Sequence, residues 1–282
     1  MSETGSIKDM HVVVDLGGER RSASIAVDLA RRIDAHLTGV ALTIEPTYPA
    51  YAMSAPIPTE YIVAAHDQAV ADASAAAGAF TEVAKSAGIA FESRESEPAI
   101  LDGLLGAVRQ FNLSDLVVVG QRDPDRAEPL RGELIESILF QAGAPALIIP
   151  YTGVKAFNTK RALVAWDGSA TAAHAVRAAL PLLGLAETVQ VLIVNEKQKQ
   201  GTMTAAAAIG SYLSRHGIDV EVQHLGASGI DAGDTILNYA ADERADWLVM
   251  GAYGHSRLRE FLLGGVTRKV LASMTLPVLM AH

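Results

Sequence analysis

The chain has 282 residues and a mass of 29.6 kDa, with half its residues hydrophobic, no cysteine and a formal net charge of -9. That length holds one large domain or two of ordinary size. The missing thiols exclude disulfides, thiolate catalysis and cysteine-ligated zinc, and the acidic balance speaks against nonspecific nucleic-acid binding, which needs a basic face to displace counterions. A small anion held by a local cluster of donors stays compatible with that charge. No apolar run reaches the roughly 20 residues that span a bilayer. The opening "MSETGSIKDM" has no basic stretch ahead of an apolar one, so no secretory signal is expected and the chain is read as cytoplasmic.

In chain order, short apolar runs occupy 11–15, 36–42, 90–94, 115–119 and 145–149, then 162–166, 189–194, 219–224, 246–250 and 277–281. Stretches such as "ILDGLLGAVRQFN" and "DTILNYAADERA", with apolar residues three and four apart, predict helices between them. Runs of Val, Leu and Ile without strict alternation predict strands buried on both faces, as in parallel sheets. The proline-rich "IEPTYPAYAMSAPIP" (44–58) predicts a long loop, with an alanine-rich helix beginning at about Thr59. The shorter "NEKQKQGTM" takes its place in the second half, and "YTGVKAFNTK", Tyr151 to Lys160, is unpatterned and reads as a linker.

The two halves repeat one another. "HVVVDLGG" and "ALVAWDGS" set Asp15 opposite Asp167, "LSDLVVVGQ" and "RADWLVMGA" set Gly120 opposite Gly251, and "APALIIP" matches "LPVLMAH". The fold class implied is α/β: two tandem doubly wound domains, 1–151 and 160–282, each with a five-stranded parallel sheet. With a strand order of 3-2-1-4-5, the order reverses between strands one and four. Ligands of such sheets lie beyond the carboxyl ends of the strands at that reversal, where Asp167 and Gly251 would face one crevice.

"GAYGHSRLREFLLGG" (251–265) leaves strand four of the second half. Glycine lets main chain turn sharply or pass close to something; Gly251 and Gly254 suit a tight exit, and Gly264 and Gly265 precede the last helix. Unpaired amides at a helix start bind phosphate, and the Thr267 hydroxyl could add a donor. Arg257, Arg259, Arg268 and Lys269 against Glu260 make the segment locally positive. Such glycines also serve turns and helix packing, and the residues alone leave both readings open. Walker-type GxxxxGK[ST] and a GxGxxG after a first strand are absent. The eight histidines, with no HxH or HExxH spacing, read as ordinary core or surface groups.

The spacing Gly251-x2-Gly254-x9-Gly264, followed by a small residue, Val266 and Thr267, resembles the nucleotide-binding motif of the universal stress protein family, as do "VAWDGS" and the terminal "PVLMAH". The resemblance runs over nearly the whole chain as two tandem domains. It implies a Rossmann-like fold of the adenine nucleotide α-hydrolase-like type. It also implies an ATP site formed by Asp167, Gly251, Gly254, Gly264, Gly265, Val266 and Thr267, with Val194 and Met250 on the adenine and ribose side. Asp167 would hold Mg2+ through water, since magnesium needs few protein ligands beside phosphates. Gly265 departs from the motif, which usually has a hydroxyl residue there; one lost hydrogen bond to a charged group is worth roughly 1.5–3 kcal/mol. The first half departs further: Asp123 and Glu133 stand where Gly254 and Gly265 do, Pro124 reshapes the loop, and only Gly132 matches Gly264.

The expected function is therefore a stress-response regulator or sensor that binds ATP or a related adenine nucleotide in its second half. It is not expected to be a fast enzyme, although slow ATP hydrolysis is compatible with the site. The alternative is an interaction or oligomerisation protein of the same fold that needs no nucleotide. An adenylating enzyme is a third reading, but "DLGGERRS" and "DGSATA" supply only fragments of the pyrophosphate turn that one requires. The family pairs its domains through last-strand edges, so the halves are expected to pair internally about a pseudo-twofold axis, with a homodimer of chains as a further option. Covering the exposed edges supplies the drive.

Overall fold

Short runs of Val, Leu and Ile become strands wherever both their faces can be covered. The computed structural model describes residues 6–18, 20–44, 58–96, 103–125, 130–152, 154–195, 202–226, 231–254 and 265–282, and contains ten strands, of which Phe91–Glu95 and Val220–Gly226, at the sheet edges, have no buried residue. The first half contributes β1(Asp9–Val14), β2(His36–Ala41), β3(Phe91–Glu95), β4(Leu116–Gly120) and β5(Ala146–Ile149). The second contributes β6(Arg161–Ala165), β7(Thr188–Asn195), β8(Val220–Gly226), β9(Trp247–Gly251) and β10(Val278–Ala281). Each anticipated run is a strand, shifted by at most two residues at an end.

All ten join one sheet in the order β3-β2-β1-β4-β5-β10-β9-β6-β7-β8. Neighbours are parallel except at the central seam, where β5 and β10 run antiparallel with Ile148 opposite Val278 and Ala146 opposite Met280. Each half thus has the expected 3-2-1-4-5 order, and their last strands meet edge to edge. Because the seam is antiparallel, the carboxyl ends of the two sets of strands point to opposite edges of the sheet.

The helices are α1(Arg21–Ile33), α2(Thr59–Ala87), α3(Gly103–Arg109), α4(Arg131–Ser137), α5(Ala170–Leu183), α6(Thr202–Arg215), α7(Ala232–Asp242) and α8(Val266–Ser273). A widened π turn, Ile138–Ala142, prolongs α4. One face of the sheet is covered by α1, α2, α5 and α6, whose Leu29, Phe80, Val176 and Leu213 pack with Met10, Leu147, Val164 and Leu279. The other is covered by α3, α4, α7 and α8 through Val108, Leu134, Ile236 and Val270. That distribution is the one a pseudo-twofold axis normal to the sheet requires. The four central strands β4, β5, β9 and β10 are almost wholly buried, each apolar side chain contributing about 1.5–3 kcal/mol.

The segment between the halves is fastened at several points. Phe157 is buried, meets the Trp247 ring edge-on at 5.7 Å, and accepts a hydrogen bond on its carbonyl from Arg32 at 2.8 Å. Arg21 donates to the Tyr151 carbonyl at 2.7 Å. His11, on β1, is a core group: it lies edge-on to Phe111 at 5.7 Å, and burial pushes its pKa below the ordinary value. Leu163 is its counterpart in the repeat.

Candidate functional site

The strand order reverses beside β6 in the second half, so the crevice is built from the turns that leave β6 and β9. After Ala165 the chain turns through Trp166, Asp167 and Gly168. Gly168 has φ +80°, a conformation that glycine adopts without Cβ strain. Asp167 is exposed, and its Oδ1 accepts the Ser169 amide at 2.9 Å. Ser169 caps α5, its Oγ accepting from the Ala172 amide at 3.1 Å, and it is also hydrogen-bonded to the Thr171 hydroxyl at 3.1 Å.

Gly251 and Gly254 press against this same turn. A Cβ on Gly251 would stand 2.5 Å from the Ala172 amide nitrogen, and one on Gly254 would stand 2.9 Å from Thr171 Oγ1. The absence of side chains lets the end of β9 lie directly on the start of α5. Between the glycines, Tyr253 is buried with φ +54°, uncommon for a bulky residue. Its amide donates to Thr267 Oγ1 at 3.1 Å. Thr267 is itself buried, so its oxygen serves the loop as an acceptor.

Gly265 is the N-cap of α8 and brings no side chain to the first amides of that helix. Val266, half-buried, follows it. Lys269 turns away from the crevice: its Nζ pairs with Asp234 of α7 at 3.1 Å, which spends one of the positive charges expected there. Arg268 is exposed. Met250 is buried at the end of β9, and Val194 is half-buried near the end of β7; both pack with the core on the α7–α8 face. Gly264, Arg257, Arg259, Glu260 and the segments 45–57 and 196–201 lie outside the described residues.

The structure therefore brings Asp167, Gly251, Gly254, Gly265 and Thr267 to one edge of the sheet. It adds two residues that sequence reasoning did not single out, Ser169 and Thr171. Their signal was present in "DGSAT", where a serine opens a helix and a threonine follows two positions later. Among the described residues, no cluster of three or more His, Asp or Glu could hold a metal ion, and no helix is long and apolar enough to cross a membrane.

The corresponding place in the first half is filled from within. Asp15 Oδ1 pairs with Arg131 at 3.1 Å, with side-chain exposures of 16% and 7%, and Asp15 Oδ2 accepts from Ser22 Oγ at 2.6 Å. Here α4 starts at Arg131, so Gly132 falls inside its first turn and Glu133 is exposed. What is left is a polar cleft of about 140 Å³ lined by Arg20, Arg21, Gln121, Asp123 and Tyr151 among others. That is well below the roughly 300 Å³ at which pockets for drug-sized ligands begin.

Residues 158–282 match the model of the universal stress protein family. A universal stress protein of Synechocystis sp. is 31% identical over 172 residues, which are 58% of this chain and 57% of that protein. The chain thus spans just over half the length of that relative. The crystal structure of a universal stress protein from Archaeoglobus fulgidus DSM 4304 is 15% identical, covers 97% of this chain and 96% of its own, and superposes with a TM-score of 0.72. A putative universal stress protein from Pseudomonas aeruginosa UCBPP-PA14 is 16% identical over 99% of this chain and 94% of its own, with a TM-score of 0.62. At these identities the two structures speak to the fold.

Proposed function

Since residues 158–282 match the model of the universal stress protein family, we propose that the second half binds ATP or a related adenine nucleotide and that the chain acts as a stress-response regulator or sensor. The observation that carries this reading is the bare helix start behind Gly265, set at the same sheet edge as the exposed Asp167. Amides that no side chain caps among the described residues, at the positive end of the helix dipole, suit a polyphosphate. Gly251 and Gly254 keep that edge narrow and free of Cβ atoms. Asp167 Oδ2 has no partner among the described residues, and would hold Mg2+ through water. Val194 and Met250 would support the adenine and ribose. In this reading 1–151 and 160–282 are two domains, and the first keeps the fold with its site closed. A regulator needs no nucleophile–base pair, and turnover would be slow.

Gentle purification followed by denaturation and an ultraviolet spectrum tests for retained nucleotide, and calorimetric titration with ATP tests for one saturable site. Asp167→Ala should weaken that binding. Gly265→Ser, by restoring a hydroxyl donor, should tighten it about tenfold. Protein that retains no nucleotide and shows no saturable ATP binding sinks the proposal. It would leave the second reading, a nucleotide-independent interaction protein. That reading is favoured by the close approach of Gly251 to α5, which accounts for that glycine without a ligand.

A further inference from the structure

Tyr253 lies in the middle of the glycine turn of the second half, yet its far end is held by the first half. Its hydroxyl donates to Glu136 Oε1 at 3.0 Å, and its ring packs on Phe140 with centroids 4.9 Å apart. Phe140 in turn meets the His282 ring at 4.4 Å, and His282 Nδ1 is 3.0 Å from the Ala252 carbonyl oxygen. Glu136 stands on α4 and Phe140 on its π extension, one helical turn apart on the same face.

The antiparallel seam explains how this helix reaches the turn. It begins at Arg131, inside the crevice of the first half, and runs back along its own strands toward the start of β5. With the second half inverted, that is the edge where β9 ends. One end of the helix closes the first crevice, and the other end props the loop of the second.

The contact is not mirrored in kind. The repeat puts Arg122 opposite Tyr253 and Arg268 opposite Glu136, two cations that cannot make such a bond to one another. In the other direction the contact is of another kind: Gln121 Nε2, just after β4, donates to the main-chain carbonyl of Leu271 on α8 at 2.7 Å. The bond between Tyr253 and Glu136 is the one made by two side chains. It also acts on a left-handed residue, a conformation that persists only when its surroundings impose it.

We propose that Glu136 and Phe140 of the first half are positioning residues for the nucleotide-binding turn of the second: they hold Tyr253 in its left-handed conformation, and with it the backbone of Gly251–Gly254. The proposal rests on the nucleotide reading for its ligand, but not for its geometry. It gives the closed first half a working part in the site.

The test uses the full chain with Glu136→Ala, Glu136→Gln, Glu136→Leu, Tyr253→Phe and the double variant Glu136→Ala/Tyr253→Phe. Two readouts are followed: hydrogen exchange of the amides of residues 252–254, and calorimetric ATP affinity. Glu136→Ala and Tyr253→Phe should each speed exchange about fivefold, and the double variant should be no worse than either, because both remove one bond. Glu136→Gln keeps an acceptor oxygen and should keep the wild-type rate, whereas Glu136→Leu, which keeps the bulk without an acceptor, should exchange as fast as Glu136→Ala. ATP affinity should fall by a similar factor in the same variants. Unchanged exchange in Tyr253→Phe or Glu136→Leu, or faster exchange in Glu136→Gln, overturns the proposal. Should wild-type protein bind no ATP, the functional reading fails alone, and exchange still decides whether the strut exists. If Glu136→Ala does not fold, Tyr253→Phe and Glu136→Gln decide the matter.

Discussion

Asp15 and Asp167 occupy the same place in two copies of one fold and lead opposite lives. Asp15 is sunk in an ion pair with Arg131 and a hydrogen bond from Ser22; Asp167 is exposed and holds only the Ser169 amide among the described residues. The helix beyond each differs in step: α4 begins with the arginine that fills the crevice, whereas α8 begins behind a bare glycine. The strand order does not register the difference, since both halves keep it. A doubly wound sheet supplies a crevice by topology alone, and in the first half one arginine side chain occupies it. Fold and cargo are separate questions here.

That contrast can be broken most forcefully at the ion pair. Arg131→Ala leaves the largely covered Asp15 carboxylate without its cation, and should cost about 3 kcal/mol of stability, the low end for a broken buried pair, seen as a lower urea midpoint at unchanged slope. Asp167→Ala should change stability by no more than about 0.5 kcal/mol. Equal losses at the two sites would erase the distinction between a structural and a receiving aspartate.

A smaller effect compares the two glycines. Gly251→Ala drives a Cβ into the backbone of α5, at 2.5 Å from the Ala172 amide, and should cost about 1–3 kcal/mol. At Gly120 the nearest atom is Asp15 Oδ1, 3.0 Å away and paired with Arg131, which has to give by only a few tenths of an ångström, so Gly120→Ala should cost about 1 kcal/mol, the low end for added bulk. Urea denaturation of both variants measures the difference, and a larger loss at Gly120 would reverse the assignment of which crevice edge is the tighter.

The slightest effect is one of pH. Burial lowers the pKa of His11 below the ordinary histidine value of 6.5. Below that pH the unfolded chain takes up a proton that the folded chain resists. The contribution of neutral His11 is therefore complete above about 6.5, and declines as pH falls from there toward the lowered folded value. His11→Leu, which installs the residue of its counterpart Leu163, should flatten the fall in melting temperature over that interval. An unchanged slope would mean that other groups carry it.

Much of this could be read from the chain beforehand. The ten strands and the start of α2 at Thr59 follow from apolar runs, turn residues and one repeated pattern, all of which are local or periodic, while the edge-to-edge meeting of the halves was implied by the family resemblance. The site was legible only in part. Glycine spacing announces a close approach but not its object, and for Gly251 the object is first of all α5. The pairing of Arg131 with Asp15, of Tyr253 with Glu136 and of Lys269 with Asp234 joins residues far apart in the chain. Nothing in their neighbourhoods marks one partner over another, because such contacts are set by how elements stack.

The seam between β5 and β10 has one more consequence. Two separate chains joined at such an edge would drift apart on dilution, and each would have to stay able to greet any copy it met. Tethered in one polypeptide, the partners face each other at a fixed effective concentration, whatever the amount of protein. Neither is obliged to remain self-complementary. A tethered pair can therefore become lopsided without ever risking the wrong match.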